Sequence, residues 1–352
     1  MNSSIKNKNI EIFCGTGGVG KTTLATSRAL YLSRMGKQVL IITIDPSKRL
    51  KQVLDITDSD IGKIKTIDSN LFYQRKNAKE TSFDALLMAP LETLKFINNL
   101  NNISNNLQNP ILKILMRPSG GLNEIMSIVE LSRHLQSNKY DCIILDTPPG
   151  QNFIDFLEAG EKIHNFFDKS FLEIFKKFSN QPGHKPHGLF SNIVSSGINK
   201  LLAYLEKVTG NIFVNNFIDA MISIYKAKDS FLEALSVQEK FKTSKDCNWF
   251  LVTSVEQQKI SDALLLKANA KKYINDNIHL LVNKSLTPFL EKWKLEADEK
   301  GSLLNLKNTL SKREQRFKDM QLSGFKQVVF FPEILCDSPQ QHVFELNKAW
   351  EN

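Results

Sequence analysis

An α/β fold, with a mostly parallel twisted sheet flanked by helices and an inserted all-helical subdomain, follows from three observations. An apolar run, Ile10 to Phe13, leads into a glycine-rich stretch and then a helical pattern opening at Leu24. Apolar and β-branched runs at 39–44, 140–146, 249–254 and 278–284 are interleaved with helical periodicity, the pattern of parallel strands joined by helical crossovers. Residues 160–245, by contrast, crowd phenylalanines into helical stretches and show no evident strand. The 352 residues are expected to form one domain, with a core of 8–158 and 247–352 and a helical insertion at about 160–245.

The glycine stretch reads Cys14-Gly15-Thr16-Gly17-Gly18-Val19-Gly20-Lys21-Thr22-Thr23. Gly15, Gly20, Lys21 and Thr22 stand at the fixed positions of G-x-x-x-x-G-K-[ST], between a strand and a helix, so a phosphate-binding P-loop is predicted. Residues from Gly15 through Gly20 (Gly15, Thr16, Gly17, Gly18, Val19 and Gly20) would offer backbone N–H groups to phosphate oxygens at a helix N-terminus. Lys21 would reach the β- and γ-phosphates, Thr22 would ligate Mg²⁺, and Thr23 would donate to the α-phosphate.

The helix closes at Met35-Gly36-Lys37, and Val39 to Ile44 is a continuous apolar run suited to a strand buried on both faces. Asp45-Pro46-Ser47 follows at the C-terminal edge, where ligands bind in open parallel sheets. Asp45 is the candidate to position or deprotonate a water aimed at the γ-phosphate; N-capping of the next helix is its other reading. Residues 57–109 read as a polar helical excursion that includes Asp84 to Leu100. Tyr140 to Leu145 then forms an apolar strand ending in Asp146-Thr147-Pro148-Pro149-Gly150, which has the form of a Walker B strand and switch. Thr22, Asp45 and Asp146 are the candidate metal shell, and the Pro-Pro-Gly turn is the candidate γ-phosphate sensor.

In the insertion, Phe166, Phe167, Phe171, Phe175 and Phe178 would either pack against neighbouring helices or leave a groove for an apolar protein client. His184 and His187 share a loop without a Cys or carboxylate to complete a metal site. Sheet-and-helix alternation returns at Trp249 to Ser254 and Ile278 to Lys284. Asn283 is placed to read a purine's donor and acceptor edge, or simply to make a turn. Val328 to Phe331 is the last strand. Pro332-Glu333-Ile334 begins a closing loop over the base.

No run of about eighteen apolar residues occurs, and Met1 to Asn9 is polar, so a cytoplasmic chain with no integral membrane segment is expected. Cys14, Cys142, Cys247 and Cys336 lie far apart, which argues for reduced, mostly buried thiols and against a zinc knuckle or disulfide framework. The net charge of +9 is spread over the whole sequence, so no nucleic-acid partner is expected from it.

Assembled, these residues resemble the family of the arsenite-pump ATPase (ArsA) and the tail-anchored-protein targeting ATPases, deviant-Walker-A proteins of the bacterial half-length type. The resemblance rests on 15–23, on Thr43-Ile44-Asp45-Pro46-Ser47-Lys48-Arg49-Leu50 and on 146–150 with Asp155-Phe156-Leu157. It implies an ATPase that binds ATP and Mg²⁺ and closes as a face-to-face dimer, with Asp45 as the catalytic carboxylate, Lys21 on the phosphates, and Asn283, Pro332 and Glu333 on the adenine side. Thr16 stands where such P-loops carry a lysine that reaches across the dimer. A homodimer with slow turnover and a heterodimer with a family paralogue supplying that lysine both remain open. A third reading is a partition or positioning ATPase. No clustered cysteines offer an arsenite site, so neither arsenite transport nor tail-anchored-protein targeting is supported by the cysteine pattern.

Overall fold

The computed structural model describes residues 5–44, 48–73, 81–101, 108–117, 122–166, 204, 206–243, 245–294, 301–320 and 322–351. Asp45, Pro46 and Ser47 lie outside the described residues, as do Phe167, Phe171, Phe175, Phe178, His184 and His187. The chain divides into two compact units, one made of 1–88, 133–157 and 239–352 and the other of 89–132 and 158–238.

The first unit is built on an eight-stranded sheet. Its strands are β1 (Ile10–Gly15), β2 (Val39–Thr43), β3 (Ile64–Asp68), β4 (Ser82–Leu87), β5 (Cys142–Asp146), β6 (Cys247–Ser254), β7 (Ile278–Ser285) and β8 (Gln327–Pro332). Their spatial order is β3-β4-β2-β5-β1-β6-β7-β8, and only the β3–β4 pairing is antiparallel. Every residue of β1, β2, β5 and β6 is buried, as expected of central parallel strands covered on both faces.

Helix α1 (Lys21–Arg34) follows the P-loop, and α2 (Lys48–Leu54) follows β2. Leu24, Ala25 and Leu30 of α1 join Phe13, Ile41, Phe250 and Phe331 of the sheet in one apolar cluster. Phe153, Phe156, Phe241 and Trp249 form a second aromatic group, with centroids 6.0–6.1 Å apart in its three ring pairs.

The second unit is helical among its described residues. It holds α3 (Pro90–Leu100), α4 (Pro110–Leu115), most of α5 (Asn123–Gln136), the later part of α6 (Gln151–Phe166), α7 (Asn211–Lys226) and most of α8 (Lys228–Phe241). Asn109 caps α4 by accepting from Ile111 N at 2.8 Å, and its Nδ2 donates to Asn216 O at 2.7 Å. This unit draws on 89–132 as well as on 158–238, and the first of these ranges is not part of the insertion read from sequence.

The helical reading of Asp84 to Leu100 is corrected at its start, because 82–87 is a strand and only 90–100 is helix. β4 is buried from Phe83 onward, and the one charge in it is satisfied there. Asp84 accepts from Thr66 Oγ1 at 2.7 Å and from Lys139 Nζ and Tyr140 Oη at 2.8 Å each.

His279 in β7 is 2 % exposed and its pKa is lowered to about 4, first by burial and then by Lys326 and Arg28. The unfolded chain therefore binds this proton near pH 6.5 and the folded chain does not. Stability from this site is complete above pH 6.5 and falls by up to ~3 kcal/mol as the pH drops from 6.5 to 4. A His279→Phe variant should show a flatter loss of denaturation midpoint across that window, whatever its offset at pH 8; an unchanged slope would rule out this source.

The remaining α-helices among the described residues are α9 (Gln257–Ala270), α10 (Thr287–Lys292), α11 (Ser302–Asp319) and α12 (Pro339–Lys348). Val343 and Leu346 of α12 and Trp350 beyond it enter the same cluster as α1, and Trp350 Nε1 donates to Ser27 Oγ at 2.9 Å. No helix among the described residues is long and apolar enough to cross a membrane.

Candidate functional site

Four strand ends and the loops that follow them make the site. β1 runs into the P-loop, β5 ends at Asp146, β7 ends beyond Asn283, and β8 leads through Glu333 to the turn before α12. All lie at the C-terminal edge of parallel strands, where the chain leaves the sheet and side chains become available to a ligand.

The loop's shape depends on glycine at two places. Gly15 has φ 149°, and a Cβ there would lie 2.3 Å from Val252 O of the adjacent strand. Gly20, which caps α1, has φ 91°, and a Cβ there would lie 2.3 Å from Asn283 Nδ2. Since the Gly15 clash is with backbone, Gly15→Ala must separate β1 from β6 or distort the loop. We expect a loss of about 3 kcal/mol of stability together with loss of nucleotide binding. Unfolding and nucleotide titration of the same preparation check both.

Lys21 is buried, with Nζ 3.1 Å from Thr16 O, so its ammonium lies back over the loop it belongs to. Thr22 Oγ1 donates to Asp146 Oδ2 at 2.7 Å, across 124 residues of sequence. Asp146 is held in line by the sheet, paired with Phe13 on one side and Thr43 on the other. Its carbonyl accepts from Ile44 N at 3.1 Å, which ties the end of β2, next to Asp45, to the end of β5. Beyond Asp146, Thr147 Oγ1 donates to Phe13 O at 2.8 Å and Gly150 N to Gly15 O at 3.3 Å, so the Pro-Pro-Gly turn is fastened to the P-loop strand.

A cleft of about 600 Å³ opens over this floor. Gly17, Gly18, Gly20, Lys21, Thr22, Thr23, Asp146, Asn283 and Glu333 line it, so nine of the sequence candidates are brought together. Gly15, Thr16 and Val19 do not line it; Thr16 O accepts from Lys21 Nζ and Val19 O from Asn283 Nδ2. Pro332 pairs with Ser285 at the end of β8, and Asp45 lies outside the described residues. Asn283 Nδ2 donates to Val19 O at 2.9 Å, while its buried Oδ1 has no hydrogen-bond partner among the described residues.

Several cleft residues were given no role by the sequence reading. Lys284, Cys336, Asp337 and His342 line it, and Ser338 lines it while capping α12 by accepting from Gln341 N at 3.1 Å. Lys259 of α9 donates from Nζ to Gly17 O at 3.2 Å, bracing the loop tip from 242 residues away. The one sequence signal for the loop residues is position, directly after the last strand.

The donor set fits a nucleotide with a hard divalent cation. Gly17 and Gly18 have open space where a side chain would stand, so backbone N–H groups there are accessible to phosphate oxygens. The Thr22 hydroxyl and the Asp146 carboxylate are oxygen ligands already within hydrogen-bond distance of each other, the chemistry Mg²⁺ requires. No soft-metal cluster appears among the described residues. Cys14, Cys142 and Cys247 are buried and Cys336 is half-buried; burial pushes the Cys14 thiol up to about 12, so it is inert.

A family model described as anion-transporting ATPase matches residues 8–328. An ATPase ASNA1 homolog of Babesia bovis is 25 % identical over 254 residues, 68 % of this chain and 64 % of that protein. A putative arsenical pump-driving ATPase 1 of Aquifex aeolicus is 28 % identical over 166 residues, 46 % of this chain and 40 % of the relative. The ATPase get3 of Schizosaccharomyces japonicus is 30 % identical over 143 residues, 41 % of each. The chain thus covers less than two thirds of the length of each of these three relatives.

Proposed function

Because the chain belongs to the anion-transporting ATPase (ArsA) family, we propose that it hydrolyses ATP with Mg²⁺ and uses the reaction as a nucleotide-driven dimer switch. The observation that carries this reading is the 2.7 Å bond between Thr22 Oγ1 and Asp146 Oδ2 on the floor of the P-loop cleft. The P-loop N–H groups and Lys21 would hold the triphosphate. Thr22 and Asp146 would hold Mg²⁺, which when bound neutralises charge on the phosphates. Asp45, two residues beyond the end of β2, would orient the attacking water. The Asn283 Oδ1 supports a base-side role, because an amide oxygen accepts from an exocyclic amine such as that of adenine.

Hydrolysis would loosen the 147–150 turn from the P-loop and pass the change to a partner subunit or to a protein client on the helical unit. The chain would act in the cytoplasm. Thr16 favours a second reading, in which this chain is the nucleotide-binding half of a heterodimer with a family paralogue and turns over little alone.

The test is steady-state hydrolysis of ATP by the purified chain, with its mass in solution measured with and without Mg-ATP. Turnover with nucleotide-dependent dimerisation supports the homodimeric switch. Tight ATP binding with neither turnover nor dimer favours the heterodimer. No nucleotide binding at all rejects both.

A further inference from the structure

Three non-glycine residues among those described have a positive φ, and two of them, Asp55 and Asn138, follow the ends of helices α2 and α5. Polar residues with short side chains tolerate the left-handed conformation there. The third is Lys284, φ 61°, which lies inside β7. A lysine in a strand has no local reason to adopt this backbone. Its surroundings impose it.

Both neighbours of Lys284 are locked. Asn283 is bound through Nδ2 to Val19 O at 2.9 Å. Ser285 Oγ donates to Glu314 Oε2 at 2.8 Å, and the Ser285 carbonyl accepts from Glu333 N at 2.9 Å. The pairing of β7 with β8 shifts register between Val282 and Ser285. In a regular strand, residues 283 and 284 point to opposite faces. Here both line the nucleotide cleft. Backbone strain of this kind persists only where the structure over-determines it, and it concentrates at ligand sites.

Charge gives the kink a purpose. The cleft lining holds three carboxylates, Asp146, Glu333 and Asp337, against two lysines, Lys21 and Lys284. A triphosphate adds more negative charge to a wall that is already net acidic. Lys284 is half-buried and has no ion-pair partner among the described residues. We propose that Lys284 is a second nucleotide-binding cation, turned into the cleft by its left-handed backbone to contact the phosphate tail. This rests on the nucleotide-binding reading above.

The test measures the Kd of AMP, ADP and Mg-ATP, without reference to turnover, for the wild type and for Lys284→Gly, Lys284→Asn and Lys284→Arg. Glycine and asparagine both accept the left-handed backbone, so folding should survive; the thermal midpoint is expected to be unchanged or higher. Loss of a charge-assisted contact predicts about tenfold weaker Mg-ATP binding for both, a smaller loss for AMP, and near-normal affinity for Lys284→Arg. Wild-type affinity in Lys284→Gly overturns the proposal. An equal loss for all three nucleotides also overturns it, assigning the residue to holding Asn283. A wild-type chain that binds none of the nucleotides sinks the underlying functional reading instead.

Discussion

Lys21→Ala is expected to lower the rate of ATP hydrolysis about a thousandfold, or ~4 kcal/mol of transition-state stabilisation, and to weaken nucleotide binding. The Lys21 ammonium is buried and sits 3.1 Å from Thr16 O, so its charge is aimed along the loop that would surround the phosphates. Phosphate oxygens are stronger acceptors than a peptide carbonyl, and an incoming triphosphate would draw Nζ off Thr16. Alanine removes that cation but keeps a good helix former at the first position of α1, so the fold should persist. Paired measurements of kcat and of the unfolding midpoint separate the two effects. A variant that keeps a normal midpoint and normal turnover would show that the P-loop is not the catalytic site. Lys21→Arg should not restore activity, because a planar guanidinium cannot take the place of a compact ammonium within the loop.

The central strands and the phosphate loop were legible because their information is local. β2, β5 and β6 announce themselves as apolar runs, since strands buried on both faces have no polar face to keep. The P-loop is a set of residue types at fixed spacing, and the bond of Thr22 to Asp146 follows from where β1 and β5 must end when they are neighbours. The edge of the sheet was not legible. β3 holds two apolar residues, Ile64 and Ile67, of which only Ile67 is buried, and β4 carries Asp84, whose partners come from two separate places in the chain, Thr66 and the adjacent Lys139 and Tyr140.

The cleft divides the same way. Asn283 was identified by its place at a strand end, yet its bond to Val19 O under the P-loop depends on a contact across 264 residues. Lys259 was missed, and Lys284 was placed at the ligand edge without a role, for related reasons. One is an ordinary helix-face lysine until α9 packs beside Gly17, and the other is an ordinary strand residue until a register shift turns it. Sequence periodicity reports which face of an element is buried. It does not report which distant backbone carbonyl that face will meet.

The largest stability effect is expected at a buried ion pair that no motif marks. Glu11 of β1 and Arg28 of α1 are both fully buried, with Arg28 Nε and Nη2 each 2.9 Å from a Glu11 carboxylate oxygen. Arg28 Nη2 also donates to Ile5 O at 3.0 Å, and its guanidinium lies 4.9 Å from the Trp350 ring centroid. Asn248 Nδ2 donates to Glu11 Oε1 at 3.2 Å. Burial works against the Arg28 charge, and Glu11 beside it more than offsets this, leaving the guanidinium pKa above its ordinary value. Removing one partner strands the other in the core. Glu11→Ala should therefore cost about 3–5 kcal/mol, and Arg28→Met a similar amount. The double variant Glu11→Leu, Arg28→Met, with no stranded charge, should recover most of that loss, because the pair's attraction mainly repays its own desolvation. Urea unfolding followed by tryptophan fluorescence, with Trp350 against the guanidinium as a local reporter, measures all three. Additive losses in the double variant would mean that the two side chains stabilise the fold independently. Recovery would mean that the pair adds little net stability and that the single-variant losses come from the charge left unpaired in the core.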